Sequence, residues 1–132
     1  MMLKEKMLLR NKTSSAIVAV SDIDRARDFY ADTLGLEPEG GSERTALKFR
    51  TGDTDLIVYE SEFAGTNKAN AVVWSAGDDF DDIVDQLRDQ RIKFEEYPDM
   101  GMDLSNGVHS KGDFKGIWFK DPDGNILHIQ NM

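Results

Sequence analysis

Cysteine is absent from the 132 residues, which excludes a disulfide framework, a thiolate metal site and a thiol nucleophile together. A chain with no thiol to protect and no bridge to form is expected in the reducing cytoplasm. Long apolar runs are missing as well. The stretch from Met1 to Lys12 holds no apolar run longer than three residues, too short for a signal-peptide core, and nothing further along approaches a membrane span. Its alternation of basic and apolar residues fits an edge strand or a frayed arm. Positive charge is scarce: 16 lysines and arginines stand against 25 acidic residues, a net charge of −9. Such a surface repels phosphate backbones, so nucleic acid is not an expected partner. It suits a cationic ligand better than an anionic one, and it also serves solubility alone. No phosphate-cradling glycine loop precedes a helix, because Gly40-Gly41 stands before a strand.

What is present is a repeat. Phe49–Glu60 lies without a gap on Phe119–Gln130, aromatic on aromatic, turn on turn and apolar strand on apolar strand. Each copy is preceded by the same order of elements. Ser14–Val20 is a β-branched apolar run of strand length. Asp22 then starts a helix, with Asp24 favouring the positive end of its dipole. Ile23, Ala26, Tyr30 and Leu34 make one apolar stripe, and Gly35 supplies a left-handed stop. Strands are expected near Leu36–Glu39, Thr45–Arg50 and Asp55–Glu60. The second half repeats this with a strand at Ala69–Ser75, an acidic helix start at Asp78-Asp79 and a stripe of Phe80, Ile83, Val84 and Leu87. A short strand at Ile92 and Phe94 and strands at Phe114–Lys120 and Ile126–Gln130 follow. Asp121-Pro122-Asp123-Gly124-Asn125 is a turn that sets the register of the last hairpin.

At this length one domain is expected, burying roughly 70% of the surface its unfolded chain exposes. Residues 1–13 read as an extension. Residues 14–62 and 68–132 read as two βαβββ modules, joined through the polar segment Glu60–Ala71. The two modules align at offsets of 57 and 70, so thirteen residues are inserted in the second. They fall between Tyr97 and Asp113, either as a mobile segment over a site or as a tolerated surface insertion.

The stretch Val20-Ser21-Asp22-Ile23-Asp24-Arg25-Ala26-Arg27-Asp28-Phe29-Tyr30, then Leu34-Gly35-Leu36, then Phe119-Lys120-Asp121-Pro122-Asp123-Gly124-Asn125 resembles the vicinal oxygen chelate superfamily, which includes glyoxalase I, extradiol dioxygenases and bleomycin-resistance proteins. The resemblance runs from Ser14 to Gln130. It implies an α+β fold in which two βαβββ modules form facing curved mixed sheets around a cleft. It does not fix a reaction, because one fold hosts many. Metal-using relatives carry four ligands on inward strand faces. The resemblance places those positions at Ser15, at or near Val72, at Ile57 (Val58 under the ungapped repeat) and at His128. Of these only His128 is a good ligand, and a catalytic metal needs about three. No cofactor is therefore expected, a divalent metal ion being the alternative.

Strand alternation then assigns the cleft. Asn70, Val72 and Trp74 would share one face, Ile126, His128 and Gln130 another, and Ser15, Ile17 and Ala19 a third. Apolar walls with an indole, an imidazole, an amide and a hydroxyl are the usual make-up of a small-molecule site. Ser15, Asn70, Trp74, His128, Gln130 and His109 are the candidate ligand-binding residues; Trp74 and His128 also fit plain interior roles. His109 is expected at the surface unless its loop folds over the cleft, and Trp118 is expected in packing or a subunit interface. Ser15 and His128 can be paired across the cleft, but no third member of a triad is at hand.

The resulting expectation is a metal-free binder of a small organic molecule, cationic or aromatic, working as a homodimer as relatives often do. The alternatives are a metal-dependent lyase, isomerase or dioxygenase with an unconventional ligand set, and a structural or regulatory module whose cleft its own side chains fill.

Overall fold

A computed structural model describes residues 8–40 and 46–132. Most of the expected N-terminal arm (residues 1–7) and Thr45 of the expected third strand lie outside the described residues, and residues 8–12 form turns. The first half runs β1 (Ala16–Val20), α1 (Ile23–Arg27), a π-helical turn (Asp28–Thr33), β2 (Glu37–Glu39), β3 (Ala46–Thr51) and β4 (Thr54–Glu60). The second runs β5 (Asn70–Ser75), a 3₁₀ turn (Gly77–Asp79), α2 (Phe80–Asp89), a 3₁₀ turn (Pro98–Met100), β6 (Asp103–Ser105), β7 (Val108–Lys111), β8 (Phe114–Lys120) and β9 (Ile126–Gln130).

The strands form two unclosed mixed sheets, ordered β1-β4-β3-β2 and β5-β9-β8-β7-β6. In each, the strand before the helix pairs in parallel with the last strand, and the remaining pairs are antiparallel. This is the α+β architecture the resemblance implied, with a βαβββ first half and a second half that carries one strand more. Among the described residues no helix is long and apolar enough to cross a membrane.

Asp22 caps α1 as expected: its extended backbone lets Oδ1 accept from the Arg25 amide at 3.0 Å. The helix then widens rather than continuing regularly. The Leu34 amide donates to the Phe29 carbonyl five residues back at 3.0 Å, a π turn. The apolar stripe survives this, with Ala26 and Tyr30 fully buried and Leu34 half-buried. In the second half neither Asp78 nor Asp79 caps through its side chain; a 3₁₀ turn precedes α2 instead.

One core serves both halves. Val18, Val20, Phe49, Leu56 and Val58 of the first sheet and Ile117, Phe119 and Leu127 of the second belong to a single buried cluster with Tyr30, Phe80, Val84 and Leu87 from the helical segments. Each such side chain contributes roughly 1.5–3 kcal/mol by leaving water.

The last-hairpin turn does more than set register: it bolts the halves together. The buried Tyr30 hydroxyl donates to Asp121 Oδ2 at 2.8 Å, and Asp121 also accepts from the Asn125 amide, the Asn125 side chain and the Asp123 amide at 2.8, 2.8 and 3.0 Å. Asn125 Nδ2 donates in turn to the Ala19 carbonyl of β1 at 2.8 Å. Asp123 accepts from the Ser21 amide and from Arg25, both at 3.1 Å. Burial, followed by the charge of Asp121 and the bond to it, pushes the Tyr30 phenol well above its ordinary range.

The thirteen-residue insertion is neither a flap nor a structureless bulge. It folds as the β6–β7 hairpin, which pairs with the first half of β8, His109 standing opposite Gly116 and Lys111 opposite Phe114. Asn106 and Gly107 form its two-residue turn with φ of 51° and 84°, the Asn-Gly chemistry of a tight hairpin. The strand expected at Ile92 and Phe94 shrinks to one bridge, Phe94 to Phe119 on the second half of β8.

Candidate functional site

Two register details decide which side chains share the face opposite the core. Phe49 stands opposite Leu56 across the β3–β4 turn, whereas Phe119 stands opposite Leu127 across the β8–β9 turn. The second turn is one residue longer, so the ungapped internal repeat slips by one in β9. In a strand that slip exchanges faces, and the counterpart of His128 is Ile57 rather than the fully buried Val58.

The second detail is a bulge in β5. Asn70 pairs with Ile126 but Val72 pairs with Leu127, leaving Ala71 as the extra residue. A bulge reverses the alternation beyond it. Asn70 therefore keeps the face of Ile126 and His128, while Val72 and Trp74 turn to the core side and Val73 pairs with His128. The expectation that Asn70, Val72 and Trp74 share one face is corrected by this single inserted residue.

The face opposite the core on the second sheet is aromatic. Trp118 and His128 are cross-strand partners on β8 and β9 and stack with ring centroids 4.1 Å apart and planes 14° from parallel. His109 meets the far side of Trp118 edge-on at 4.9 Å, and Tyr97 meets it at 5.7 Å. Phe114 lies 6.5 Å beyond His128. Gly116 makes room for this row, because a Cβ there would sit 2.9 Å from Phe114 Cζ and 3.0 Å from His128 Cε1.

The two histidines differ in what they leave free. His109 Nε2 accepts from the Tyr97 amide at 3.0 Å, so the ring proton resides on Nδ1, which faces the Gly107 carbonyl at 3.2 Å. Both nitrogens are engaged and the ring is fully buried, which corrects the expectation of a surface residue. His109 fixes the inserted hairpin and backs Trp118. His128 Nδ1 lies 2.9 Å from the Ile117 carbonyl. A carbonyl only accepts, so Nδ1 carries the proton and Nε2 presents a lone pair. Burial pulls the His128 pKa below its ordinary value, against the Ile117 bond and with the help of His109. The imidazole is thus neutral near pH 7.

Among the described residues neither His128 Nε2 nor the Trp118 indole N–H has a hydrogen-bond partner, and the one fully buried, unpartnered side-chain polar atom is Asp55 Oδ1. Among the described residues the stacked pair therefore offers an unpartnered acceptor on one ring and an unpartnered donor on the other. Gln130 stands on the same face opposite Gly116, half-buried, and Asn70 is exposed at the start of β5. Ser15 is exposed, its hydroxyl 3.5 Å from that of Thr54, and no hydrogen bond joins it to His128. Trp118, expected in packing or a subunit interface, is brought into a stack with His128. Its pairing with His128 followed from aligning the strands across the Asp121–Asn125 turn.

Val73 lies beside His128 on the second sheet, and on the first sheet Ile17 lies beside Ile57. Among the described residues no three His, Cys, Asp or Glu side chains stand together as metal ligands. The donor set of the described residues does not fit a chelated cation. A cavity of about 330 Å³ lies elsewhere, on the core side between the halves, with Trp74 in its wall.

Residues 12–129 match the family described as the Glyoxalase/Bleomycin resistance protein/Dioxygenase superfamily. A comparison with curated proteins gives no match. Among solved structures, the chain is similar to a lactoylglutathione lyase from Agrobacterium tumefaciens at 19% identity and a TM-score of 0.65, over 91% of this chain and 92% of that one. A glyoxalase/bleomycin resistance protein/dioxygenase from Alicyclobacillus acidocaldarius shares 19% identity with a TM-score of 0.68, over 91% and 90%. The fosfomycin resistance protein FosX from Mesorhizobium loti shares 14% with a TM-score of 0.66, over 92% of each chain. At these identities the likeness carries the fold.

Proposed function

The chain belongs to the Glyoxalase/Bleomycin resistance protein/Dioxygenase superfamily, and within it we propose that this member binds a small organic molecule on the Trp118–His128 face without a catalytic metal. The observation that carries the reading is the pairing of an unpartnered imidazole Nε2 with an unpartnered indole N–H on stacked rings. A ligand with an aromatic or cationic group would lie against the apolar surface of Val73 and Ile17, donate to Nε2 and accept from the indole. The net charge of −9 favours a cation over an anion at this surface.

A homodimer belongs to the same reading. Ile17, Val73 and Tyr59 are 59%, 54% and 38% exposed, and all three stand on faces turned away from the core. A second copy laid over those faces would cover apolar surface and deepen the site around His128. The cysteine-free composition supports a cytoplasmic setting. The metal-dependent alternative has no donor set among the described residues to favour it.

A thermal-shift screen of aromatic amines, cationic glycopeptide drugs and neutral aromatics tests the binding claim. At a hundredfold excess over Kd a true ligand stabilises the fold by about 2.7 kcal/mol. The shift should vanish in His128→Ala. A panel with no shift, or shifts indifferent to that substitution, removes the reading.

A further inference from the structure

Two departures from regular geometry converge on the cavity that the Trp118–His128 face does not use. The β5 bulge turns Trp74 away from His128 and into this cavity. The π turn at Asp28–Thr33 ends by delivering Thr33 and Leu34 to its opposite wall. Two hydrogen bonds cross between the halves around it: Trp74 Nε1 to Thr51 Oγ1 at 2.9 Å, and Gln90 Nε2 to the Thr33 carbonyl at 2.7 Å. Bulges and π turns persist where they re-aim side chains, and both gather at functional sites.

We propose that this cavity is a second small-molecule site, distinct from the first, and that it takes a compact aromatic ligand bearing one positive charge. Its volume of about 330 Å³ falls at the small end of the roughly 300–1,000 Å³ typical of such pockets. Trp74 supplies an aromatic wall, and Leu34, Leu36, Ile83 and Leu87 supply aliphatic ones. Among the described residues no lysine or arginine lines it, and its one ionisable wall residue is the Asp79 carboxylate. An aryl group would stack on the indole while an ammonium reaches the carboxylate, and an anion of the same shape would meet no counter-charge. Because the walls come from both halves, occupancy would also tie the halves together.

The chain has two tryptophans, Trp74 and Trp118, so each site has its own reporter. Trp118→Phe silences the second emitter and leaves Trp74. Titrating this variant with 2-phenylethylamine should give a saturable change in Trp74 emission and a rise in Tm, whereas phenylacetate should give neither. Gln86→Phe, on the exposed side of α2 at the mouth, should weaken the amine at least tenfold while leaving the fold intact. Asp79→Asn should also weaken it. Absence of a response at millimolar amine, an equal response to phenylacetate, or unchanged affinity in Gln86→Phe overturns the proposal. None of these outcomes depends on whether the Trp118–His128 face binds anything.

Discussion

Replacing Tyr30 with phenylalanine removes one hydroxyl from the bolt between the halves. That hydroxyl is buried and donates to Asp121 Oδ2 at 2.8 Å. A hydrogen bond to a charged group is worth about 1.5–3 kcal/mol. Asp121 keeps its bonds from the Asn125 amide, the Asn125 side chain and the Asp123 amide, so the lower half of that range applies. The expected cost is about 1.5–2 kcal/mol, or roughly 5–7 °C in Tm for a chain of this size. The pH dependence gives a second, sharper signature. The fold holds the Tyr30 proton far above the ordinary 10.0, whereas the unfolded chain releases it near that value. A raised folded pKa gives stability that is complete below about pH 10 and lost as pH rises beyond it, at about 1.4 kcal/mol per pH unit. Tyr30→Phe has no such component, so urea unfolding should show the gap between the two proteins shrinking from pH 9 to nearly nothing at pH 11. A Tm change under about 1 °C, or a gap that stays constant across that range, refutes the reasoning.

Four further outcomes follow from particular contacts. Asp121→Ala strips the partner from Tyr30 and Asn125 together and should cost about 3–5 kcal/mol in urea unfolding. Gly107→Ala forces a side chain onto a φ of 84° and sets its Cβ 2.6 Å from Phe94 Cβ; a loss of at least about 2 kcal/mol is expected, with the β6–β7 amides exchanging first. His128 should titrate below 6.5 in a proton NMR series. Its lowered folded pKa means stability is complete above about 6.5 and declines as pH falls from there towards the folded value, a decline that His128→Gln should abolish. Protein purified without chelator or affinity-tag metal should carry far less than one equivalent of zinc, nickel, manganese or iron by elemental analysis; a stoichiometric metal lost in His128→Ala contradicts the metal-free reading.

The sequence made the architecture legible because duplication and periodicity are both local signals. The Asp22 cap, the Ile23–Leu34 stripe, Gly35 and the last hairpin all fall where pattern places them. The site was harder to read, because a strand's period of two magnifies a one-residue error into a change of face. The β5 bulge at Ala71 moved Trp74 to the core side, and no residue type there announces a bulge. The extra residue in the Asp121–Asn125 turn was countable, and counting it pairs His128 with Trp118 and sets Ile57 as its counterpart. Asn106-Gly107 was legible too, as a hairpin turn within what read as a loop. Burial of His109 was not, since it rests on pairing with β8 and stacking on Trp118.

The claim on which the functional reading stands is that the free nitrogens of His128 and Trp118 bind one molecule together. Side-chain NMR of nitrogen-15-labelled protein, titrated with the tightest compound from the thermal screen, reads both nitrogens at once. The account predicts that His128 Nε2 and Trp118 Nε1 shift in parallel along one saturation curve. Saturable binding that leaves both resonances unmoved contradicts it.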